Sequence, residues 1–582
     1  MKNQKKNSKS VIIFLLVLTF IVGTMCSCAS SQEDNTDPTK PAESSVNSTE
    51  ENTDNKSQNK TEIETTADGQ TTDEDLEDYV ILNNGVRLQL SDDKKSYIVI
   101  GMGEQSRPVD APEQDEDLSL EIPDIYNKIP ITAIDNQAFR NTKNLRNIKL
   151  SVNTVSIGDS AFAGCENLKE IVLPDNLLEI GSCAFEKCKS LSTVKIPENV
   201  TTINSGLFNN CTGLTNLSIS NSIKHIGGNV FDGCDQLKYT DDNNGKYLGN
   251  EVNPYLVFVR MIDSNAESVT INSGTKIVYG KAMFDSTSLK SIVIPEGVVE
   301  IGYKVIKSSK KLETISIPNS IERIDDCAFG DIPFGDQSGD GELIKYNIEQ
   351  GLKYLGNENN PYLILIGPVD PTIASNAAIH QKCEIIFKDA FKNCKDLAEV
   401  NAPSSIRIIG VNVFQSCSSL EKLTVSSENP VFHSNGNCII ETASKALIAG
   451  CKGSIIPADG SVTSIKESAF YGCKGLETIR IPDSITQIGR KTFQYCTDLK
   501  IVEIGNGLML ISAYSFDHCN NLMSVSFGTS VTSIETSAFN DCNPLLLVNY
   551  RGTKEQWSEI DIESPGNTLL SVERIQFIKT GD

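Results

Sequence analysis

A single step of 23 residues governs most of this chain. Phe139, Phe162, Phe185, Phe208 and Phe231 stand that far apart, and the column resumes as Met283, Ile306 and Phe329, as Phe391 and Phe414, and as Phe470, Phe493, Phe516 and Phe539. These 14 positions hold one register within each block, which chance does not do. A period in the twenties with Leu-x-x-Ile-x-Ile spacing predicts a leucine-rich solenoid. Within one turn, Val194 and Ile196 lie two apart and so face the same way from a short strand, which Pro197 ends. Leu191 enters the core from the turn before, a second short strand is expected over 200–203, and the Ala-Phe pair opens a tight turn of 3₁₀ type. No turn of this size can bury such groups by itself. Stacking at about 4.8 Å per strand makes one ladder of Ile, Leu, Phe and Cys, whose stability is a sum of neighbour contacts.

The phrase Ile157-Gly158-Asp159-Ser160-Ala161-Phe162, completed by Cys165 and Leu168 and followed by Leu173-Pro174, recurs turn after turn. Its Ile-Pro, Ile-Gly and Ala-Phe-x-x-Cys elements resemble the BspA-like, or Treponema pallidum-type, branch of bacterial leucine-rich-repeat surface lipoproteins, over about residues 120–550. That resemblance implies a β-rich right-handed leucine-rich-repeat solenoid with short strands and short helical turns, and a surface protein concerned with adhesion or protein binding. It carries over no fixed ligand and no binding residue.

An open solenoid exposes a sheet edge and must be capped at both ends. Residues 79–128 read as an N-terminal β cap, with strands around the turn Asn83-Asn84-Gly85. Residues 546–582 read as the C-terminal cap, in which Trp557, the single tryptophan, is expected to cover the last coil of the 129–545 solenoid. Residues 1–28 have the layout of an export signal: Lys2, Lys5, Lys6 and Lys9, an apolar run from Val11 to Val22, then Met25-Cys26-Ser27-Cys28-Ala29. The last stretch resembles a bacterial lipobox and implies lipidation at Cys28, with Cys26 or an ordinary signal peptide as alternatives. Residues 29–78 carry 15 Asp and Glu against three Lys and almost no large apolar side chain, so they are expected to be a disordered acidic tether.

The net charge is −24, and residues 79–582 alone hold −16 of it. That excludes nucleic acid as a partner, since such affinity comes largely from clustered Lys and Arg. Contact with a membrane is expected through the lipid anchor only.

The register breaks three times, with inserts near 239–276, 332–384 and 425–460. Two inserts share a phrase, Tyr247-Leu248-Gly249-Asn250 to Asn253-Pro254-Tyr255-Leu256 and Tyr354-Leu355-Gly356-Asn357 to Asn360-Pro361-Tyr362-Leu363, which signals a hairpin. The third places Phe432 and Ile439 around an Asn-Gly turn. Inserts in solenoids often carry binding function, so Tyr247, Tyr255, Tyr354, Tyr362 and Phe432 are the candidate ligand contacts. Inward packing as a modular way of lengthening the coil is the competing expectation for the tyrosines.

Ten of the 17 Cys fall in one column of the repeat, where Ser286 and Ser309 also stand, so the position asks for a small side chain and a free buried thiol is expected. Cross-strand bridging of Cys438 and Cys451 is an open alternative. His225, His380, His433 and His518 are scattered, and no Cys or His pair has zinc spacing. Asp336 to Gly341 begins like a calcium loop, but Asn347 takes the place of its closing Glu. Because nucleophile-elbow, phosphate-loop and metalloprotease motifs are lacking, the chain is read as a non-enzyme without cofactor or metal. The function expected is that of an exported, lipid-anchored, surface-exposed binding protein. Its partners would be host or bacterial surface proteins or extracellular matrix. The alternative is a glycan-capturing lipoprotein serving nutrient uptake.

Overall fold

The computed structural model describes residues 79–103, 117–306, 311–325, 327–329, 344–372 and 375–578. Cys28, the acidic tether and the Asp336 loop lie outside the described residues.

The described chain is a β-solenoid in which every coil has three hydrogen-bonded sides. The first side is a short parallel strand, as in Glu170–Val172, Thr193–Lys195 and Asn216–Ser218. Its partners are 23 residues apart, Val194 against Leu217 and Thr193 against Glu170. The second side is a two-residue strand such as Thr202–Ile203, paired with His225–Ile226 in the same register. Alternation turns Val194, Ile196, Val200 and Ile203 inward, each no more than 1% exposed.

The third side is the Ala-Phe turn. Its bonds from residue i to i+3, such as Ala163 N–H to Ser160 and Cys165 N–H to Phe162, are those of a 3₁₀ turn. A helix does not propagate, because the residues two before and two after the Phe are left-handed: Ser160 and Gly164 around Phe162, Cys183 and Lys187 around Phe185, Lys491 and Tyr495 around Phe493. This alternation points one N–H in two at the next coil, so Phe162 donates to Ala184 O at 2.8 Å and Gly164 to Glu186 O at 2.7 Å. Where all three ladders run on, neighbouring coils are joined by backbone on three sides; between Glu179–Ile180 and Thr202–Ile203 the second-side ladder breaks, and Asn204 Nδ2 donates to Ile180 O at 2.7 Å instead.

Inside, the Phe column forms near-parallel stacks. Ring centroids of Phe139, Phe162, Phe185 and Phe208 follow at 5.3, 5.6 and 5.9 Å with interplanar angles below 10°. Phe470, Phe493, Phe516 and Phe539 also stack, at 4.9–5.2 Å with interplanar angles of 4–19°. Outside, ion pairs repeat the register, as Lys189 to Glu166 at 3.0 Å and Lys500 to Glu477 at 2.9 Å.

The first-side ladders hold five, three, three and five strands, so the solenoid is built in four blocks. Each block opens on a three-stranded antiparallel meander whose last strand starts the parallel ladder of the second side. These are Tyr79–Ile81, Val86–Leu90 and Tyr97–Met102; Thr240–Asp242, Gly245–Leu248 and Val257–Met261; Asn347–Glu349, Leu352–Leu355 and Ile364–Pro368; Phe432–Asn435, Cys438–Glu441 and Ala446–Ala449. Each insert thus repeats the device that begins the first block. The expected hairpin is present, with Tyr247 opposite Phe258 and Tyr354 opposite Leu365, and an additional strand precedes it.

At the far end, the helix Lys554–Ser558 starts from a reciprocal cap in which Thr553 Oγ1 accepts from Gln556 N–H and Gln556 Oε1 accepts from Thr553 N–H. Trp557 is 2% exposed and packs edge-on against Phe527 and Tyr550, at 5.4 and 5.1 Å.

Candidate functional site

The splices between blocks concentrate the side chains that a uniform repeat does not explain. Where a ladder stops, its last coil leaves backbone groups that need partners. The shared phrase supplies them. Gly249 O accepts from Ile219 N–H, and Asn250 Nδ2 donates to Ile219 O at 2.8 Å. Asn253 Nδ2 donates forward to Gly274 O at 2.7 Å. The second splice copies this, with Gly356 and Asn357 on Ile317 and Asn360 Nδ2 on Lys382 O at 2.9 Å. A Cβ on Gly249 or Gly356 would lie 2.0 Å from the Asn253 or Asn360 carbonyl oxygen, which explains the glycine in both copies. Cations cap further bare carbonyls: Lys276 Nζ reaches Asn221 O at 2.6 Å and Arg407 reaches Asn319 O at 3.0 Å. At the third splice Asn429 Nδ2 takes Pro403 O and Ile406 O.

The splices also decide where the candidate aromatics go. Tyr247 and Tyr354 are fully buried, and their hydroxyls accept the N–H groups of Asn272 and His380 at 3.1 and 3.0 Å. Phe432 is 4% exposed. These three candidate ligand contacts are therefore corrected to core residues, because they have no surface to offer a ligand. Tyr255 and Tyr362 are half-buried and meet Tyr247 and Tyr354 edge-on at 5.6 Å. Tyr362 also stacks on His380 at 3.9 Å, and its hydroxyl bonds to Glu349, which holds its pKa up.

The other histidines have separate settings. His225 Nδ1 is 2.7 Å from Glu300 Oε1, whose carboxylate is almost wholly buried and also faces Arg323 at 3.5 Å. His433 Nδ1 meets Thr442 Oγ1 at 3.0 Å. His518 lies between Asp517 and Asp541, at 2.6 and 3.2 Å, and these three groups bring one donor atom each within 4.8 Å of one another. Asp541 comes from the next coil, so a search for ligands at short sequence spacing misses this meeting. Asp517 is 4% exposed and fully engaged, by His518, Gln494 and Asn540. Both nitrogens of His518 face a carboxylate, so the group is satisfied by its own members.

The third splice differs from the other two. Four residues before the Phe column, the first block-opening coil after each splice carries Tyr279, Phe387 and Lys466. Tyr279 packs on Phe231 at 4.9 Å, and its hydroxyl accepts Val230 N–H at 2.8 Å. Phe387 packs on Phe329 at 5.8 Å. Where Lys466 stands there is a cavity of about 270 Å³, lined by Asn412, Val413, Phe414, Ala449, Gly450, Phe470 and Tyr471 among others. From Tyr471 on its lining a row of rings continues through Tyr495 to His518, 5.6 and 4.7 Å apart.

The column thiols are free and buried. Where a Phe stands 26 residues earlier the thiol bonds to the coil behind it: Cys165, Cys188, Cys211, Cys496 and Cys519 place Sγ 3.0–3.3 Å from that carbonyl oxygen. The Phe162 carbonyl accepts both Cys165 N–H and the Cys188 thiol. Burial pushes these thiols up, Cys165 and Cys496 to about 12. Cys438 and Cys451 are likewise free and buried, with Ser454 Oγ beside the Cys451 sulfur at 3.7 Å.

On the outer surface, exposed aliphatic groups adjoin one another in the last block. Met523 and Leu546 follow one another in a column, 43% and 74% exposed, and in the next column the exposed Ile501 and Leu547 flank the half-buried Ser524.

Comparison with known proteins adds one positive match at the level of sequence. The model of the BspA type leucine rich repeat region fits six times, over residues 130–252, 261–334, 372–438 and 442–559. No curated protein matches the chain. Among solved structures, a leucine rich cell surface protein from Faecalibacterium prausnitzii A2-165 is 19% identical over 84% of this chain and 100% of its own, with a TM-score of 0.28. A leucine-rich repeat protein from Bacteroides ovatus ATCC 8483 is 20% identical over 86% and 100%, with a TM-score of 0.25. A T. pallidum leucine rich repeat protein is 20% identical over 41% and 83%, also at 0.25.

Proposed function

Because the chain belongs to the BspA-type leucine-rich-repeat family, we propose that it is a surface-displayed binding scaffold for other proteins. The observation that carries this reading is the group of exposed aliphatic side chains Ile501, Met523, Leu546 and Leu547 where the first-side strands of the last block begin. Exposed aliphatic groups gathered in this way mark protein contacts on soluble molecules, and the Lys500 to Glu477 ion pair beside them supplies a polar rim. Glycan capture, which uses exposed aromatic platforms, has less to draw on. Tyr79, Tyr495 and Phe577 are the large aromatics exposed by more than a third among the described residues, and they lie apart. Export, lipidation at Cys28, adhesion and attachment to host, bacterial or matrix proteins complete the proposal. A family of binding solenoids and a chain without catalytic motifs support a role that needs no turnover.

The test is biolayer interferometry of the full chain against panels of surface and matrix proteins and of glycans, repeated with Leu546→Asp and Met523→Asp. Binding to a protein, weakened at least tenfold by either variant while thermal unfolding is unchanged, supports the reading. Binding confined to glycans, or protein binding indifferent to both variants, overturns it.

A further inference from the structure

The third splice is a space the chain fills with its own side chain at the first. There, Tyr279 sits against Phe231, its hydroxyl takes the Val230 N–H, and Lys281 Nζ donates to Asn229 Oδ1 at 3.2 Å. The corresponding residues at the third splice are Phe414 for Phe231, Val413 for Val230 and Asn412 for Asn229. Two substitutions empty the site. Lys466 replaces the tyrosine, and Ser468, too short to reach, replaces the lysine. What remains is the cavity of about 270 Å³ with an apolar wall of Phe414, Phe470, Ile448 and Ala449. One polar side-chain atom on its lining is left without a partner among the described residues. Asn412 Oδ1 is buried and unbonded, and Val413 N–H stands where Val230 N–H meets the Tyr279 hydroxyl at the first splice. A buried acceptor left unpaired is unfavourable, so a ligand that donates to Asn412 Oδ1 gains a bond that the fold forgoes.

We propose that this cavity is a receptor pocket for a tyrosine side chain presented by a protein partner, the ring taking the place that Tyr279 holds at the first splice. A phenol fits both polar groups at once, since its oxygen accepts from Val413 N–H and its proton goes to Asn412 Oδ1. A phenylalanine ring fills the same volume and offers neither group a bond. Gly450 lets the Phe470 ring form the wall, because a Cβ there would fall 2.0 Å from that ring. Tyr471 on the lining and Tyr495 next to it offer rings for the residues flanking the anchor. A buried aromatic anchor surrounded by modest contacts is the usual centre of a protein interface.

This pocket rests on the protein-binding reading, and the experiment separates the two. The full chain is titrated with p-cresol and, separately, toluene, with binding read by saturation-transfer NMR and thermal shift. The pocket predicts that p-cresol binds at least tenfold more tightly than toluene. Lys466→Tyr, which supplies the plug of the first splice, loses p-cresol binding and melts no lower than the parent. Asn412→Gly keeps the left-handed backbone at φ 55° and brings p-cresol and toluene to within about threefold of each other. Failure of p-cresol to bind at millimolar concentration, or equal binding to the Lys466→Tyr variant, overturns the inference. If Lys466→Tyr does not fold, the Asn412→Gly comparison decides alone. A chain that binds p-cresol but captures no protein keeps the pocket and loses the protein-binding reading. Capture of a protein unaffected by Lys466→Tyr does the reverse.

Discussion

Replacing Phe185 by Ala removes a ring that is fully buried and stacked on both sides, 5.6 Å from Phe162 and 5.9 Å from Phe208 at angles below 10°. Phe-to-Ala changes in packed cores cost about 3–5 kcal/mol, and two ring contacts of about 0.5–1.5 kcal/mol each lie within that sum. In a solenoid the loss stays near its origin, because each coil contacts only its neighbours. The amides that close this coil are Phe162 N–H on Ala184 O, Phe185 N–H on Leu207 O and Lys187 N–H on Asn209 O, at 2.8–3.1 Å. Native-state hydrogen exchange read by mass spectrometry should find them faster by roughly 10²- to 10⁴-fold, since about 1.4 kcal/mol is tenfold. Phe516 N–H on Ala538 O, in the last block, should keep its parent rate. Equal acceleration along the chain would refute nearest-neighbour stability, and no acceleration in the mutated coil would refute the stack.

Lys187→Gly should raise the melting temperature by the equivalent of about 0.5–1 kcal/mol, because Lys187 holds φ at 59° with an L side chain and glycine takes that conformation freely. Gly249→Ala should cost about 2–4 kcal/mol locally, with faster exchange at Ile219 and Asn250, as the new Cβ meets the Asn253 carbonyl oxygen. Burial holds the Cys496 thiol at about 12, above its ordinary 9.0, so the native state favours the protonated form. Its contribution is therefore complete below about pH 9 and is lost as pH rises toward 12. Urea midpoints measured from pH 7 to 11 should fall over the alkaline end, less steeply in Cys496→Ala.

The coil period was legible because one physical demand, a ring and a small group buried between neighbours, is repeated at Phe162, Phe185 and Phe208 with no variation in spacing. The meanders were half legible. Tyr247 and Tyr354 announce the inner strands, whereas the outer strand Thr240–Asp242 is polar and Asp-rich, so no hydrophobic alternation betrays it. The left-handed residues were legible in principle, since Asn141, Asn210, Asn393, Gly164, Gly233 and Gly472 share one column; Lys187 and Tyr495 in the same column hide the pattern. The splice cavity was not legible, because it depends on what Lys466 fails to fill between coils 56 residues apart in the Phe column. The same holds for His225 and Glu300, which meet across 75 residues.

The central claim is that each 23-residue step advances the chain by one strand spacing. Nitroxide labels attached through unnatural ketone residues leave the native thiols untouched and let pulsed electron resonance measure that advance. Glu121, Lys149, Val172, Lys195 and Ser218 stand on successive strands of the first ladder. At about 4.8 Å per strand, the Glu121–Lys195 and Glu121–Ser218 pairs should have backbone separations near 14 and 19 Å, in narrow distributions. The Arg480–Asn549 and Arg480–Gln576 pairs of the last block should give the same two values. Broad distances well beyond these, or distances that do not grow with the number of steps, would contradict the stacked coil.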